Sequence, residues 1–233
     1  MSIVVPAVLP SSLKDLEEKL GRFARIPSIS RVQIDVVDGR FATPASWPYT
    51  APKELAAMLA RGEMLPELDH VSYEIDLMCH DADQAAGAWL ALGATRLTFH
   101  TESVLNLPRL LASARRRYGD DCVSFGLALN VSSDLALIEP YLSQVEYVQF
   151  MGIATIGRQG QPFDPRVLAK IRLFRSRHPE VPVQVDGGVT LASGRELVAL
   201  GVANLVVGSA ILRASDPIAS VAAFEALESP FGV

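Results

Sequence analysis

The stretch Val183 to Leu212, VQVDGGVTLASGRELVALGVANLVVGSAIL, constrains the fold more than any other part of the chain. It holds two short β-branched runs, Val183–Val185 and Leu205–Val207. Each is followed at once by a small-residue turn, Asp186-Gly187-Gly188 in the first case and Gly208-Ser209-Ala210 in the second. Between them Leu191 to Leu200 reads as one helix, with Leu191, Leu197, Val198 and Leu200 on an apolar face and Gly201 as its stop. Strand, turn, helix, strand, turn is a βαβ unit, so the strands run parallel and both glycine turns emerge at their C-terminal ends. Glycine admits close backbone approach, and free N–H groups at turns and helix starts favour an anion. One such turn alone is merely tight; two in succession mark a candidate phosphate cradle.

The rest of the chain repeats the alternation. Ile3–Leu9 is a candidate strand, and Ser11 or Ser12 caps a helix running to about Phe23. Val32–Val37, Val71–Met78, Leu97–His100, Val123–Leu129 and Tyr147–Met151 are further strands. Helices are expected over Lys53–Arg61, Asp81–Leu92, Leu105–Tyr118, Pro165–Arg177 and Asp216–Leu227, and one more after the fifth strand, capped near Ser132 or Ser133. Two connections are long and aperiodic: Arg40–Pro52, and the glycine-bearing Gly152–Phe163 after the sixth strand. Loops of this kind in a compact domain usually cover a site. Eight strands alternating with eight helices indicate a (β/α)8 barrel, an α/β fold, here as a single domain over residues 1–233. An open doubly wound sheet would show a glycine-rich fingerprint after the first strand, where this chain has Pro10-Ser11-Ser12.

Composition excludes several other classes. Hydrophobic residues make up 49% of the 233 positions, enough for a large core. No apolar run approaches the roughly 20 residues that span a bilayer, and MSIVVPAVLP lacks the basic start of a signal peptide. Cys79 and Cys122 offer neither a disulfide framework nor metal-ligand spacing, as expected of reduced thiols in the cytoplasm. A formal charge of −5 argues against a nucleic-acid partner. The run Arg115-Arg116-Arg117 is expected to be the solvated end of a helix. An acidic barrel of this size is expected to form a homo-oligomer.

In a barrel, chemistry sits at the C-terminal ends of the strands. The polar residues there are Gln33 and Asp35, Asp76, His100, Asn130 and Asp186. Gln33 and Asp35 are two apart and share a face. Carboxylates inside apolar runs are costly unless paired, protonated or bound to a cation, which singles out Asp35, Asp76 and Asp186. His100 is expected to be a packed, satisfied histidine rather than a ligand.

The segments VQIDVVDGRF, YEIDLMCHD, LTFHTES, GLALN, GRQGQPFDP, VQVDGGV and GVANLVVGSAIL, in that order and spacing, resemble the ribulose-phosphate 3-epimerase family over nearly the whole chain. The resemblance implies a phosphosugar-binding barrel that inverts a carbon next to a ketone. In that family two aspartates serve as acid and base, and a divalent metal polarises the enediolate oxygens. The matching aspartates here are Asp35 and Asp186. The phosphate would be held by backbone at Gly187, Gly188, Gly208 and Ser209. The segment Gly157–Gln161, with Gly157, Gly160 and Gln161, resembles the family's glycine-rich lid, one residue longer. Arg158 and Gln159 are placed to reach an anion, and Gly157 and Gly160 to act as hinges. Met78 and Met151 match methionines over the substrate.

The departures lie in the same places. Gln33 and Asp76 stand where the family has histidine ligands, Pro10 where it has a substrate-contacting serine, and Val37 where it has a third methionine. Imidazole suits zinc or iron, whereas the oxygen set Gln33, Asp35, Asp76 and Asp186 suits magnesium or manganese. The expectation is therefore no tight zinc, a weak oxygen-held divalent cation or an empty site, and no organic cofactor. With no cation present, converging carboxylates should raise at least one pKa. The reading is a phosphorylated-ketose epimerase working by two-aspartate proton transfer. Two alternatives stay open: another carbon-acid reaction on a phosphosugar, such as aldol-type cleavage or decarboxylation, and a non-catalytic phosphate-binding or regulatory barrel.

Overall fold

The computed structural model describes residues 2–118 and 122–227. Eight strands close into a barrel: β1 (Val4–Val8), β2 (Arg31–Val37), β3 (Ser72–Met78), β4 (Arg96–His100), β5 (Ser124–Leu129), β6 (Tyr147–Met151), β7 (Val183–Asp186) and β8 (Asn204–Val207). Every neighbouring pair is parallel, and β8 closes on β1 through Val4 and Leu205. The helices are α1 (Leu13–Phe23), α2 (Pro52–Arg61), α3 (Ala82–Ala91), α4 (Leu107–Tyr118), α5 (Arg166–Arg177), α6 (Leu191–Ala199), α7 (Ser209–Leu212) and α8 (Pro217–Glu225). None of the described helices is long and apolar enough to cross a membrane.

The strand period of two decides which side chains meet. On β2, Val32, Ile34 and Val36 join the apolar core packed under α1, which contributes Leu16, Leu20 and Phe23. Arg31, Gln33 and Asp35 therefore point into the barrel. By the same alternation Tyr73, Ile75 and Leu77 face the helices, which leaves Glu74 and Asp76 inside. The interior is polar as a result, with Gln33, Glu74, Asp76, Thr98, His100, Gln149 and Gln184 all buried. Gly126 makes room for this filling, because a Cβ there would lie 2.2 Å from the Tyr147 ring.

Local chemistry sets the helix starts. Ser12 accepts the Asp15 N–H at 3.1 Å, Thr190 and Ser193 form a reciprocal capping box, and Asp216 caps α8 ahead of Pro217. One expectation is corrected. The segment after β5 is not an α-helix capped at Ser132 or Ser133, but two 3₁₀ helices, Leu135–Leu137 and Glu139–Gln144, the first capped by Asp134. Pro140 has no N–H to donate, and Leu135 and Ile138 bury at a spacing of three, so the tighter helix serves. In the arginine run Arg116 and Arg117 are exposed as expected, while Arg115 is half-buried: its guanidinium carbon lies 4.4 Å from the Phe125 ring centroid, and Nη2 donates to the Gln144 carbonyl at 3.0 Å.

The long connection between β2 and α2 folds back over the barrel mouth. Trp47 is fully buried against Trp89, its backbone N–H donates to the Pro10 carbonyl at 2.9 Å, and its Nε1 donates to Glu54 at 3.0 Å. Phe41 from the same connection reaches His100, with ring centroids 5.4 Å apart.

Candidate active site

The two glycine turns lie side by side at the C-terminal mouth. Gly187, Gly188, Gly208 and Ser209 form one wall of a pocket, and Gly157, Gly160 and Gln161 form another. Asp35, Asp186, Met78 and Met151 also line it. Gly188 has φ +66°, and a Cβ there would stand 2.7 Å from the Phe163 backbone, so position 188 accepts little else. The segment 157–161 is tied down across the mouth. Arg158 Nε donates to the Thr43 carbonyl at 3.0 Å, Gln159 Nε2 to the Ala7 carbonyl at 3.2 Å, and Gln161 Nε2 to the Arg158 carbonyl at 3.1 Å. The Gln159 amide sits against Gly208, 2.7 Å from where a Cβ would be.

Below the pocket three carboxylates converge. Asp35 from β2, Asp76 from β3 and Asp186 from β7 each offer an oxygen, and these lie within 4.8 Å of one another. Asp35 and Asp76 are register partners on adjacent strands. Gln33 Nε2 bridges the other pair, donating to Asp35 Oδ1 at 2.8 Å and to Asp186 Oδ2 at 3.1 Å. Asp76 takes N–H groups on both oxygens, paired with His100 Nε2 at 2.9 Å and Gln149 Nε2 at 3.1 Å. Asp35 Oδ2 and Asp186 Oδ1 accept nothing from the described residues, and both residues open onto the pocket.

Electrostatics follow from this crowding. Burial first, then the charges of Asp186 and Asp76, drive the Asp35 carboxyl well above the ordinary carboxylate range. Burial and Asp76 likewise push Asp186 up to about 7, against the lowering effect of the Gln33 N–H. For His100, burial disfavours the charged ring, but contact with Asp76 outweighs it and holds the imidazole above its usual value. Carboxylates this close release their protons as a coupled set.

The spacing of the triad would suit a cation, but the donors around it do not. His100, the imidazole at the cluster, commits Nε2 to Asp76, and its Nδ1 is buried without a partner among the described residues. Gln33 presents nitrogen, not oxygen, to Asp35 and Asp186, and its Oε1 is buried without a partner among the same residues. As arranged, neither the Gln33 amide nor the His100 imidazole offers a cation at the triad a free donor atom, so the imidazole-type metal set does not fit and only the carboxylate oxygens have the spacing for a hard cation.

Sequence reasoning missed Glu74, Gln149 and Gln184 and treated His100 as packing. The signal was present for the first three, since each lies two residues before a position already singled out: Asp76, Met151 and Asp186. Glu74 accepts from Arg96 Nε at 2.9 Å, from Thr98 Oγ1 at 3.3 Å and from Gln184 Nε2, and Gln184 also donates to Gln149 Oε1 at 2.7 Å. Asn130, also at a strand end, lies outside this cluster; its backbone N–H donates to Glu102.

A closed (β/α)8 barrel with acidic side chains at its mouth and a glycine cradle beside them defines a class of phosphate-handling barrel enzymes. The chain belongs to the ribulose-phosphate 3-epimerase family, whose sequence model matches residues 3–212. It is 27% identical over 227 residues to the ribulose-phosphate 3-epimerase of Mycobacterium tuberculosis, covering 95% of this chain and 90% of the relative. It is 26% identical to that of Escherichia coli (92% and 90% covered) and 23% identical to that of Schizosaccharomyces pombe (92% and 88%). Among solved structures, a 3-hexulose-6-phosphate synthase superposes with a TM-score of 0.68 at 19% identity, covering 98% of this chain and all of that one. KGPDC from Streptococcus mutans gives 0.66 at 15% identity, covering 98% of this chain and 97% of that one. At these identities the two structures establish the fold.

Proposed function

We propose that the chain is an epimerase of a phosphorylated ketose, working by proton transfer at the carbon next to the carbonyl. One observation carries this reading. Asp35 and Asp186, on strands from different sides of the barrel, are joined through Gln33, and each keeps one oxygen for the pocket that ends on the glycine turns. The phosphate rests on N–H groups of the turns at Gly187, Gly188, Gly208 and Ser209. Met78 and Met151 pack beside the sugar carbons, and the segment 157–161 closes over them. The ionised member of the aspartate pair removes the proton from the carbon. The resulting enediolate takes a proton on its opposite face from the protonated member, so one C–H bond breaks, one forms and the configuration inverts. Both carboxyls are raised, by burial and by neighbouring carboxylates, and titrate as a coupled pair, so that one acts as acid while the other acts as base, the condition this exchange requires.

Schiff-base chemistry has no support here. Lys170 spends its ammonium on the carbonyls of Asn130 and Ser133, and neither it nor Lys14, Lys19 or Lys53 lines the pocket. Ribulose 5-phosphate is the first substrate to test, because the relatives carry its name. Pro10, Gln33, Val37 and Asp76 are the positions where another ketose phosphate would be selected. The test is incubation in deuterium oxide with NMR detection. Deuterium at the carbon beside the ketone and appearance of its epimer are expected. Absence of exchange with every ketose phosphate would leave the binding-protein alternative.

A further inference from the structure

We propose that Gln33 holds Asp35 and Asp186 as a working pair without a divalent cation, its side-chain amide bridging the two carboxylates in a cation's stead. The catalytic half of this inference rests on the reading above; the structural half stands on its own. Gln33 is fully buried, and its Nε2 lies between the two carboxylates. An amide nitrogen has two N–H groups and no lone pair for a metal, and both of these are used. Turning the amide over would give up both N–H bonds and bring Oε1 against two carboxyl groups, of which only a protonated member could donate to it. The nitrogen-inward arrangement is therefore the one the cluster selects.

Asp76 is held by a separate chain of donors whose direction is set from the lower barrel. Arg96 can only donate, so Glu74 accepts from it. Glu74 then takes the Gln184 N–H, and Gln184 in turn donates to Gln149 Oε1. With its oxygen engaged, Gln149 presents nitrogen to Asp76 Oδ2, while His100 Nε2 meets Oδ1. The barrel-wall groups Gln33, His100 and Gln149 thus all meet the triad through nitrogen. Gln33 is a positioning residue in this arrangement. It fixes the separation and orientation of the two carboxylates and leaves Asp35 Oδ2 and Asp186 Oδ1 free for proton transfer.

The experiment begins with manganese titration, by calorimetry, of full-length protein dialysed against a chelator. No saturable site tighter than about 0.1 mM is expected. Deuterium exchange into the ketose phosphate should survive the chelator unchanged. Gln33→Met keeps the volume but removes the N–H groups. It should lower kcat for exchange by roughly 100-fold, leave inorganic phosphate binding intact, and shift the acidic limb of the pH profile upward, because the carboxylates lose their shared donor. A purely structural role would lower thermal stability without moving that limb. Gln33→His should introduce cation binding that wild type lacks. One manganese ion per chain bound more tightly than about 0.1 mM, or exchange that a chelator abolishes and manganese restores, would overturn the proposal. If wild type exchanges no ketose phosphate at all, the epimerase reading fails, and the manganese titration still decides whether Gln33 excludes a cation.

Discussion

Glu74 and Asp76 sit two residues apart on β3, face the same interior and are both fully buried, yet their surroundings differ in kind. Glu74 meets two guanidiniums, Arg96 Nε in a hydrogen bond of 2.9 Å and Arg31 Nε in an ion-pair contact of 3.5 Å. Arg96 is itself stacked 3.9 Å from the Tyr147 ring centroid, and Arg31 Nη2 donates to Asn204 at 2.7 Å. Asp76 meets one imidazole and one amide, with two further carboxylates beside it. The lower layer is overcompensated in charge and the upper layer undercompensated. A buried carboxylate between fixed cations has its charge compensated in place; Asp76, beside two carboxylates, instead raises the proton affinity of Asp35 and Asp186. The difference between the two layers on one strand is thus a matter of which charges the neighbouring strands deliver.

The largest effect that would sharpen this contrast is catalytic. Asp35→Asn or Asp186→Asn should reduce deuterium exchange by about 10²–10⁴-fold, the usual contribution of a general acid or base, while leaving phosphate affinity unchanged. Equal loss of exchange and of phosphate binding would mean that the upper layer is scaffold after all. Next comes the lower layer. Glu74→Gln leaves Arg31 and Arg96 without their shared anion and should destabilise the fold by about 3–5 kcal/mol in urea unfolding. Asp76→Asn leaves one buried N–H without its acceptor but relieves the repulsion with Asp35 and Asp186, and should cost about 1–2 kcal/mol. Similar losses at both positions would break the comparison.

The pH dependence of stability offers a finer test. Asp186 has a folded pKa of about 7, raised by burial and by Asp76, and Asp35 is raised in the same direction. In the unfolded chain both titrate near 4. Below about pH 4 they are protonated in both states and contribute nothing. Between about 4 and 7 the unfolded state binds fewer protons than the folded one, so stability falls as pH rises. Above the folded pKa the penalty is complete. Chemical denaturation of wild type and Asp186→Asn across this window should therefore diverge, the variant gaining relative stability with increasing pH. Parallel curves would show that Asp186 ionises normally in the folded protein.

Much of this was legible in the chain, and the remainder failed for identifiable reasons. β-branched runs ending in polar or glycine residues located the strands, because a parallel strand packed under helices must be apolar on one face at least. The tightened segment after β5 was misjudged because Leu135 and Ile138 satisfy either helical period, and Pro140 sits in the first turn of the second helix, a position proline tolerates in either helix type. α7 is a single turn, too short for periodicity to announce. At the site, the cost of burying a charge drew attention to Asp35, Asp76 and Asp186 without any structure. The contact between Asp76 and His100 was invisible, because it depends on the β3–β4 register, which pairs Asp76 with Thr98 and leaves His100 two residues further along. The orientation of the Gln33 amide was equally unreadable, since it follows from Asp35 and Asp186, whose convergence is a property of the closed barrel.

The smallest predicted effect concerns how each end of the interior is sealed. The lower end is fastened by charge-assisted bonds among buried groups, from Arg31 and Arg96, whereas the upper end is covered by a segment held by one bond from the exposed Arg158 and one neutral amide–carbonyl bond. The latter, Gln159 Nε2 to the Ala7 carbonyl at 3.2 Å, connects the covering segment directly to the first strand. A bond of this type contributes about 1 kcal/mol net, so Gln159→Ala should raise the open fraction of the segment roughly fivefold. Arg158 is exposed in the same segment and offers trypsin a cleavage point. Limited proteolysis should therefore cut the ligand-free variant about fivefold faster than wild type, with an unchanged melting temperature, since cleavage tracks the open population when reclosing is fast. Added ribulose 5-phosphate should slow cleavage of both. An unchanged cleavage rate in Gln159→Ala would assign the closure to Arg158 and the Thr43 carbonyl instead, and a lowered melting temperature would mean that the cover is part of the scaffold and not a gate over the aspartate pair.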